Sequence, residues 1–248
     1  MCARFSLSAS DGFAQVKGDP EEVFSASLSS FVIVWSRVVI ITGISLLHIW
    51  KGYHTEVLKD VTAELPSTGL VLLTGPSGCG KTTLSHLILG LIKPDRGEIK
   101  GTEGLRFSAV FQENRLFPGF TVADNINAPL KQKLTDSEMD ELLNKLGLSG
   151  IAQQYPNELS GGMQRRVAFA RALAFDGDLF VLDEPFAGLD DHAKSLVIRQ
   201  IISLCQNKLV ILIVHHSAEF DDLPHRVISL APSALPPVSY THLTLPTP

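Results

Sequence analysis

A glycine-rich stretch followed by a lysine and two threonines is the first group of residues that could do chemistry. It reads Gly-Pro-Ser-Gly-Cys-Gly-Lys-Thr-Thr over residues 75–83 and fits the pattern G-x-x-x-x-G-K-[ST] of phosphate-binding loops. Glycines let the backbone fold around an anion so that successive N–H groups point at it. The predicted phosphate-binding residues are Gly75, Ser77, Gly78, Cys79, Gly80, Lys81, Thr82 and Thr83.

Individual side chains in this loop have distinct expected roles. Lys81 should reach the β- and γ-phosphates of a nucleotide, and the Thr82 hydroxyl should ligate Mg²⁺. Cys79 is expected to pack rather than to react. A strand at residues 70–74 and a helix after the loop supply the setting that the pattern requires, because the helix adds the positive end of its dipole.

Two adjacent carboxylates follow a second apolar strand, in Phe-Val-Leu-Asp-Glu-Pro at residues 180–185. Acidic residues at the end of a buried strand are costly unless they meet a cation or a reacting water. Asp183 suits indirect coordination of Mg²⁺. Glu184 suits the general base that polarises the attacking water.

A third motif, Leu-Ser-Gly-Gly-Met-Gln at residues 159–164, opens a helical run. Ser160, Gly161 and Gly162 therefore lie at a helix N-terminus, which binds anions through free N–H groups. A second phosphate-binding helix start is redundant for one nucleotide in one chain. It is useful if it closes over the nucleotide of a partner chain. Arg165, Arg166 and Arg171, which follow, are predicted to serve helix faces and salt bridges.

The elements that must position these motifs alternate between strands and helices, which is typical of an α/β domain with a mainly parallel sheet. Strand patterns lie at residues 70–74, 179–182 and 209–214. Leu84, Leu87, Ile88 and Leu91 have helical spacing after the phosphate loop. Thr135 and Glu138 form a possible capping box, and Gly147 is the matching stop.

Three regions are expected along the chain. Residues 1–42 are an unassigned extension, residues 43–231 are the nucleotide-binding domain with a helical subdomain at about 113–170, and residues 232–248 are a non-native or disordered tail. The tail lacks apolar periodicity and resembles a peptide translated from sequencing-adapter DNA. It is excluded from the fold prediction.

Composition restricts the classes of function. Apolar residues make up 45% of the chain, and the formal net charge of −5 gives no electrostatic reason to expect a nucleic-acid partner. Residues 31–50 are the one candidate membrane span, but Arg37 lies near its middle and a central arginine costs about 2.5–3.5 kcal/mol on insertion scales. The second half of that segment is also required as the first strand of the domain.

The three motifs, in the order in which they occur, resemble those of ABC transporter ATPases over roughly residues 44–230. The resemblance implies a P-loop NTPase fold in which a mainly parallel core sheet is joined by an antiparallel β subdomain and a helical signature subdomain. It also implies that the chain hydrolyses ATP with Mg²⁺, and that each ATP lies between one P-loop and the Leu-Ser-Gly-Gly motif of a second cassette.

Further residues gain roles from this resemblance alone. Gln112 looks like the Q-loop glutamine that contacts Mg²⁺ or the attacking water, and Asp190 like the loop residue that crosses the dimer interface. Tyr53 resembles the aromatic that stacks on adenine, with Trp50 as its rival. The switch histidine is predicted to be His215, because Glu219 stands four residues after it. His216 remains the alternative.

Three functions are compatible with a P-loop: the ATPase of an importer, a soluble ABC protein acting on the ribosome or on DNA, and an unrelated kinase. A kinase has no use for the signature motif, and a single cassette without a long insertion disfavours the soluble class. Residues 111–126 are similar to cassettes of bacterial nitrate, sulfonate, taurine and thiamine-precursor importers. The expected partners are a second cassette of identical sequence, membrane-spanning permease subunits and, indirectly, a solute-binding protein. The expected location is the cytoplasmic face of the cell membrane.

Overall fold

The sheet on which the predicted site depends consists of five parallel strands and one antiparallel edge strand. The structure, a computed structural model, describes residues 43–214, 220, 223–231 and 242–244. In chain order its strands are β1 (Ile44–Gly52), β2 (Glu56–Leu65), β3 (Gly69–Thr74), β4 (Arg96–Lys100), β5 (Phe107–Val110), β6 (Leu179–Asp183), β7 (Leu209–Ile213), β8 (His225–Ser229) and β9 (His242–Thr244). Its helices are α1 (Lys81–Ile88), α2 (Val122–Asn127), α3 (Asp136–Lys145), α4 (Gly161–Phe175) and α5 (Asp191–Cys205), with a 3-10 turn at Pro156–Glu158.

The central sheet has the strand order β5-β6-β7-β3-β8-β9, and all neighbours are parallel except β9, which is antiparallel to β8. Its inner strands are apolar on both faces. Leu72 of β3 belongs to the cluster that also holds Phe169 of α4, whereas the preceding residue, Val71, belongs to the cluster that holds Leu84 of α1. Burial on both faces explains the unbroken apolar runs in these strands.

A second, antiparallel sheet has the order β2-β1-β4. Ile44, Leu46 and Ile49 of β1 are fully buried in it. The described end of the candidate membrane segment is therefore a strand, as predicted, and residues 31–42 lie outside the described part of the chain. Among the residues described, no helix has the length and apolar character needed to cross a membrane.

Helices α2 to α4 and the turns between them follow β5 in the chain and correspond to the predicted helical subdomain. The capping box is confirmed: the Thr135 hydroxyl accepts from the Glu138 N–H, and the Glu138 carboxylate accepts from the Thr135 N–H at 2.8 Å. Helix α4 continues to Phe175, beyond the predicted limit of about 170. Its C-cap, Asp176, adopts a left-handed conformation.

Helix α1 is shorter than its periodicity predicted. It ends at Ile88, because Gly90 adopts a left-handed conformation (φ +68°) that a continuing helix cannot contain. Leu91, expected on the buried helix face, lies outside the helix and is exposed.

Within the predicted tail, the structure describes the backbone of His242–Thr244, which pairs with β8 as a strand. The non-native origin of residues 232–248 stays a prediction, as does the extension at residues 1–42.

Candidate nucleotide-binding site

The carboxyl ends of four parallel strands carry most of the predicted site. β3 runs into residues 75–80, β5 into Phe111 and Gln112, β6 ends on Asp183, and β7 ends beside it, with Ile213 paired to Asp183. Carboxyl ends of parallel strands meet at one edge of a sheet, where open α/β sheets bind ligands. The topology therefore gathers motifs that are up to about 100 residues apart in the sequence.

The phosphate loop depends on glycine at two close approaches. Gly75 has φ +143°, and a Cβ there would lie 2.5 Å from the carbonyl oxygen of Leu230. Gly80, the N-cap of α1, has φ +100°, and a Cβ there would lie 2.6 Å from a methyl group of Leu58. Any larger residue would clash at both positions. Cys79 is buried in the apolar cluster below the loop.

Lys81 is held inside the loop by its own backbone. Its Nζ donates to the carbonyl oxygens of Gly75 at 2.8 Å and Pro76 at 3.0 Å, and the residue is only 7% exposed. Lysine has three donors, so two carbonyl bonds leave one donor available to a phosphate. The ammonium is thus placed in the loop that is predicted to receive the anion.

Thr82 and Asp183 meet directly, which joins the phosphate loop to β6. The Thr82 hydroxyl donates to Asp183 Oδ2 at 2.9 Å. Burial raises the pKa of Asp183 above its ordinary value of 3.8, and the charge of Glu184 raises it further, while the bond from Thr82 opposes both effects. A carboxylate that is short of counter-charge in this way favours a bound cation.

Glu184 has an unusual backbone conformation. Its φ is +49°, a left-handed value that costs a residue other than glycine about 1–2 kcal/mol. The Glu184 N–H donates to the Ile213 carbonyl at 3.2 Å, and its carbonyl accepts from Ala187 N–H at 3.2 Å. Strained residues that the surrounding structure holds in place concentrate at functional sites.

Gln112 is the second residue after β5 and is exposed. Its backbone carbonyl accepts a 2.7 Å hydrogen bond from Arg165 Nη2, and the carbonyl of Phe111 accepts another, also 2.7 Å, from Arg165 Nη1. The strand end that carries Gln112 is therefore fastened to the helix that carries the signature motif.

The signature motif begins helix α4, as predicted. Ser160 is its N-cap, and the Ser160 hydroxyl accepts from the Met163 N–H at 3.3 Å. A Cβ on Gly162 would lie 2.8 Å from the carbonyl oxygen of Gly188, so the absence of a side chain lets the helix start rest on that loop. Ser160 and Gly161 are exposed and face away from the protein interior.

Asp190, the predicted interface residue, caps the next helix. Its Oδ1 accepts from Ala193 N–H at 2.8 Å at the start of α5. The residue is exposed and follows Gly188, which contacts the start of α4. The structure thus brings Asp190 and the signature motif to neighbouring loops, while a contact of Asp190 with a partner stays a prediction.

The two aromatic candidates for the adenine differ in surroundings. Trp50 is half-buried, and its ring centroid lies 5.9 Å from Lys59 Nζ and 5.8 Å from the guanidinium carbon of Arg96. Tyr53 is 66% exposed in the turn between β1 and β2, with Lys51 Nζ 5.7 Å from its ring centroid. These surroundings favour Tyr53 as the ring free to stack.

The predicted switch histidine lies outside the described residues, as does its rival His216. Residue 214, which precedes His215, ends the described stretch after β7, and its N–H donates to the Leu73 carbonyl at 3.3 Å. The choice between the two histidines stays a prediction.

Within the part of the chain that the structure describes, the three arginines of α4 form none of the salt bridges that the sequence led us to expect. Each donates to backbone carbonyl oxygens: Arg165 to Phe111 and Gln112, Arg166 to Leu146 and Gly147, and Arg171 to Asn114 and Arg115. Burial lowers the pKa of Arg165 and of Arg171. Sequence reasoning missed these contacts because a carbonyl acceptor has no residue type. The only signal was the density of arginine in one apolar helix.

A phosphate loop with its lysine, a Thr–Asp pair and a strained glutamate at one edge of a parallel sheet define a P-loop NTPase. The chain belongs to the ABC transporter family, whose sequence model matches residues 58–187. It is similar to the aliphatic sulfonates import ATP-binding protein SsuB of Bacillus licheniformis, with 38% identity over 192 residues, 73% of this chain and 75% of that protein. It is also 37% identical to the taurine import ATP-binding protein TauB of Pelagibacter ubique over 195 residues, 73% of this chain and 74% of that protein.

Solved structures of related cassettes have the same fold as this chain. The dimeric MJ0796 cassette is 28% identical with a TM-score of 0.67 and covers 76% of this chain and 94% of its own. The same cassette in a post-hydrolysis state with ADP and Pi is 26% identical with a TM-score of 0.70 and covers 82% and 100%. The predicted fold is confirmed, and so is the prediction of an ATP-hydrolysing subunit that energises a membrane importer rather than a soluble cassette without a permease.

Proposed function

We propose that the chain hydrolyses ATP at a composite site, between its own P-loop and the signature motif of a second, identical chain, and so drives uptake of a small organic solute that carries a sulfonate group. The observation that carries the proposal is the presence of two helix starts of phosphate-binding type, one at α1 and an exposed one at α4. Each has the free N–H groups that bind anions, and the second has no function within a single chain.

The chemistry follows from the residues at the sheet edge. Lys81 binds the β- and γ-phosphates, and the loop N–H groups hold them in place. Water attacks the γ-phosphorus, the bond to the β-phosphate oxygen breaks, and ADP and inorganic phosphate leave. Glu184 accepts the proton of the attacking water, while Gln112 and His215 orient that water and the γ-phosphate. Catalysis is mainly positioning and electrostatic stabilisation.

The residues fit Mg²⁺. A hydroxyl and a carboxylate are hard oxygen ligands of the kind that Mg²⁺ takes alongside substrate phosphates, and the Thr82 Oγ1–Asp183 Oδ2 pair offers both within 2.9 Å. The raised pKa of Asp183 indicates that its charge lacks compensation. When bound, Mg²⁺ would neutralise the charge of the transferred phosphoryl group.

A groove beside the Q-loop supports a permease partner. It has a volume of about 370 Å³ and lies between the end of α1, β5 and α4. Its apolar lining includes Leu89, Leu91, Phe107, Phe111, Pro129 and Phe175. We assign it to a cytoplasmic loop of the permease, because Leu91 is 56% exposed and Phe111 directly precedes Gln112.

A pair of exposed aromatic residues adds to this surface. Phe117 and Phe120 are 49% and 45% exposed, with their ring centroids 5.2 Å apart. Both lie on the loop that the buried Asn125 fastens to α2. Rigid exposed aromatics are common anchors at protein interfaces.

The solute class and the location come from relatives. SsuB and TauB are named for aliphatic sulfonates and taurine, which are small organic molecules that carry a sulfonate group. We propose the same class here, delivered by a solute-binding protein to the permease, with this chain bound at the cytoplasmic face of the membrane and with no nucleic-acid partner.

A mixing experiment tests the composite site. Ser160→Arg places a bulky side chain where the partner's phosphate must lie, and Lys81→Ala removes the phosphate-binding charge. Each variant alone should lose most ATPase activity. A mixed dimer has one site with both lesions and one with neither, so equal mixing should restore up to about a quarter of the wild-type rate. Ser137→Arg, exposed on α3, is the matched control and should keep wild-type activity. Full activity of Ser160→Arg alone would refute the composite site.

The partner surface has a separate test. When the chain is co-expressed with candidate permease subunits from its own genome, the wild-type chain should co-purify with its permease. Leu91→Asp and Phe117→Asp should prevent this co-purification while ATP binding is retained. Leu148→Val, a conservative change in the buried core, should leave co-purification intact. Retained co-purification of both aspartate variants would remove the groove and the aromatic pair from the interface.

A further inference from the structure

Arg165 lies between three parts of the nucleotide site: the signature helix α4, the loop that carries Gln112, and the carboxylates of Asp183 and Glu184. It projects from α4, five residues after Ser160, and is only 7% exposed. Its two terminal nitrogens donate to the consecutive carbonyl oxygens of Phe111 and Gln112, both at 2.7 Å. Charge-assisted bonds of this length are among the strong hydrogen bonds of proteins. The planar guanidinium thus fixes two successive peptide groups in one orientation.

The same guanidinium lies within the electrostatic reach of the catalytic carboxylates. Burial lowers the pKa of Arg165, and the charges of Glu184 and Asp183 raise it, which partly offsets the cost of burying a cation. Its Nε is buried and has no hydrogen-bond partner among the described residues. A buried donor without a partner costs stability. The side chain nevertheless adopts this orientation, in which both terminal nitrogens bond to the two carbonyl oxygens.

We propose that Arg165 is a positioning residue. It holds the backbone of Phe111 and Gln112 and so fixes the position of the Gln112 side chain relative to Glu184 and to the signature helix. The proposal rests on the role proposed above for Gln112. It assigns to Arg165 the task of transmitting the position of α4, whose start meets the partner's nucleotide, to the glutamine of its own chain.

Arg171 provides a matched control on the same helix. It also donates to two consecutive carbonyls of this loop, those of Arg115 at 2.9 Å and Asn114 at 3.2 Å, and burial lowers its pKa as well. Its pKa is not affected by Asp183 or Glu184 in the way that the pKa of Arg165 is. If both arginines only stabilised the loop, replacing either one should change kcat to the same extent.

Kinetics with the full-length chain test the proposal first. Arg165→Met should lower kcat about 10- to 100-fold, as expected for a misplaced catalytic group, and change KM for ATP by less than about twofold, while Arg165→Lys recovers part of kcat. Arg171→Met should keep kcat within about twofold of wild type. In a Gln112→Ala background, Arg165→Met should cause less than about a twofold further loss, because both changes remove one function. Additive losses, or equal losses from Arg171→Met, would overturn the proposal.

A spectroscopic readout separates this inference from the proposed role of Gln112. A spin label is attached at Gln112→Cys after Cys2, Cys79 and Cys205 are replaced by alanine. Arg165→Met should increase the mobility of the label, and Arg171→Met should not. An unchanged spectrum in Arg165→Met would overturn the positioning role even if kcat fell. Unchanged kcat in Gln112→Ala would instead refute the role of Gln112, whatever the label reports about Arg165.

Discussion

The Thr82 hydroxyl on the first turn of α1 donates a 2.9 Å hydrogen bond to Asp183 Oδ2 at the end of β6, across 101 positions of sequence. This bond connects the two halves of the site, the loop that cradles phosphates and the strand that supplies carboxylates. Burial raises the pKa of Asp183 and makes its charged form costly, and the bond from Thr82 offsets only part of that cost.

Asp183→Asn should therefore stabilise the protein while abolishing hydrolysis. Because the folded-state pKa is raised, the stability that protonation contributes is complete below the ordinary pKa of 3.8 and is lost as pH rises through the raised value. At neutral pH the charge is a cost, and asparagine removes it while still accepting from Thr82. A gain of about 1 kcal/mol would raise Tm by about 2–4 °C. Scanning calorimetry in EDTA measures it, and Asp140→Asn on exposed α3 should change Tm by less than about 1 °C. A lower Tm for Asp183→Asn would contradict this account.

Glu184→Gln should bind ATP but lose about 10²- to 10⁴-fold in kcat, the range expected when a general base is removed. The amide keeps the shape of the side chain and cannot accept the proton of the attacking water. Phosphate release measures the rate, and size-exclusion chromatography with ATP should show a trapped dimer. Glu141→Gln, on the exposed face of α3, should retain the wild-type rate. Wild-type turnover by Glu184→Gln would remove it from the base role.

His215→Ala should abolish most hydrolysis, whereas His216→Ala should leave it largely intact. One reason is the spacing of His215 to Glu219. Another is that His215 follows the end of β7 by two positions, and β7 ends at Ile213, which pairs with Asp183 and accepts from the Glu184 N–H. Steady-state ATPase rates for both variants, with ATP affinity measured in parallel, decide between them. The opposite pattern would transfer the switch role to His216.

Asn125→Ala should destabilise the loop that carries Phe117 and Phe120. The buried Asn125 amide donates to the carbonyls of Phe117, Phe120 and Thr121 at 3.0–3.1 Å, and its oxygen accepts from Phe117 N–H at 2.8 Å. Leaving such groups without partners costs about 1–3 kcal/mol each, so the free energy of unfolding should fall by about 2–4 kcal/mol. Urea denaturation measures the loss. Asn144→Ala, at an exposed position, should cost less than 1 kcal/mol, on the order of other surface changes. Equal effects would contradict the role of Asn125.

The features that the sequence predicted correctly are local ones. The strand and helix that flank residues 75–80, the strand that ends at Asp183 and the Thr135–Glu138 capping box each depend on residues within a few positions of one another. Their patterns can therefore be recognised without knowledge of the fold. The strands β3, β6 and β7 were recognised because burial on both faces makes them continuously apolar.

The features that it missed depend on distant or generic partners. Strand β4 is mostly exposed and has no apolar signature, and α1 ends early because Gly90 leaves the helical conformation despite a continuing apolar pattern. The anchors of Arg165 are 53 and 54 positions away and are backbone atoms. No pattern of residue types records such a contact.

The attachment of α4 through guanidinium groups to carbonyl oxygens has a consequence for how this fold can diversify. Every residue at positions 111–115 presents a carbonyl, so side-chain replacement in this loop leaves the acceptors of Arg165 and Arg171 in place. The loop can therefore acquire new side chains for a new permease without losing its anchorage. A scaffold fastened through its main chain permits exchange of membrane partners while the ATP-hydrolysing machinery stays the same.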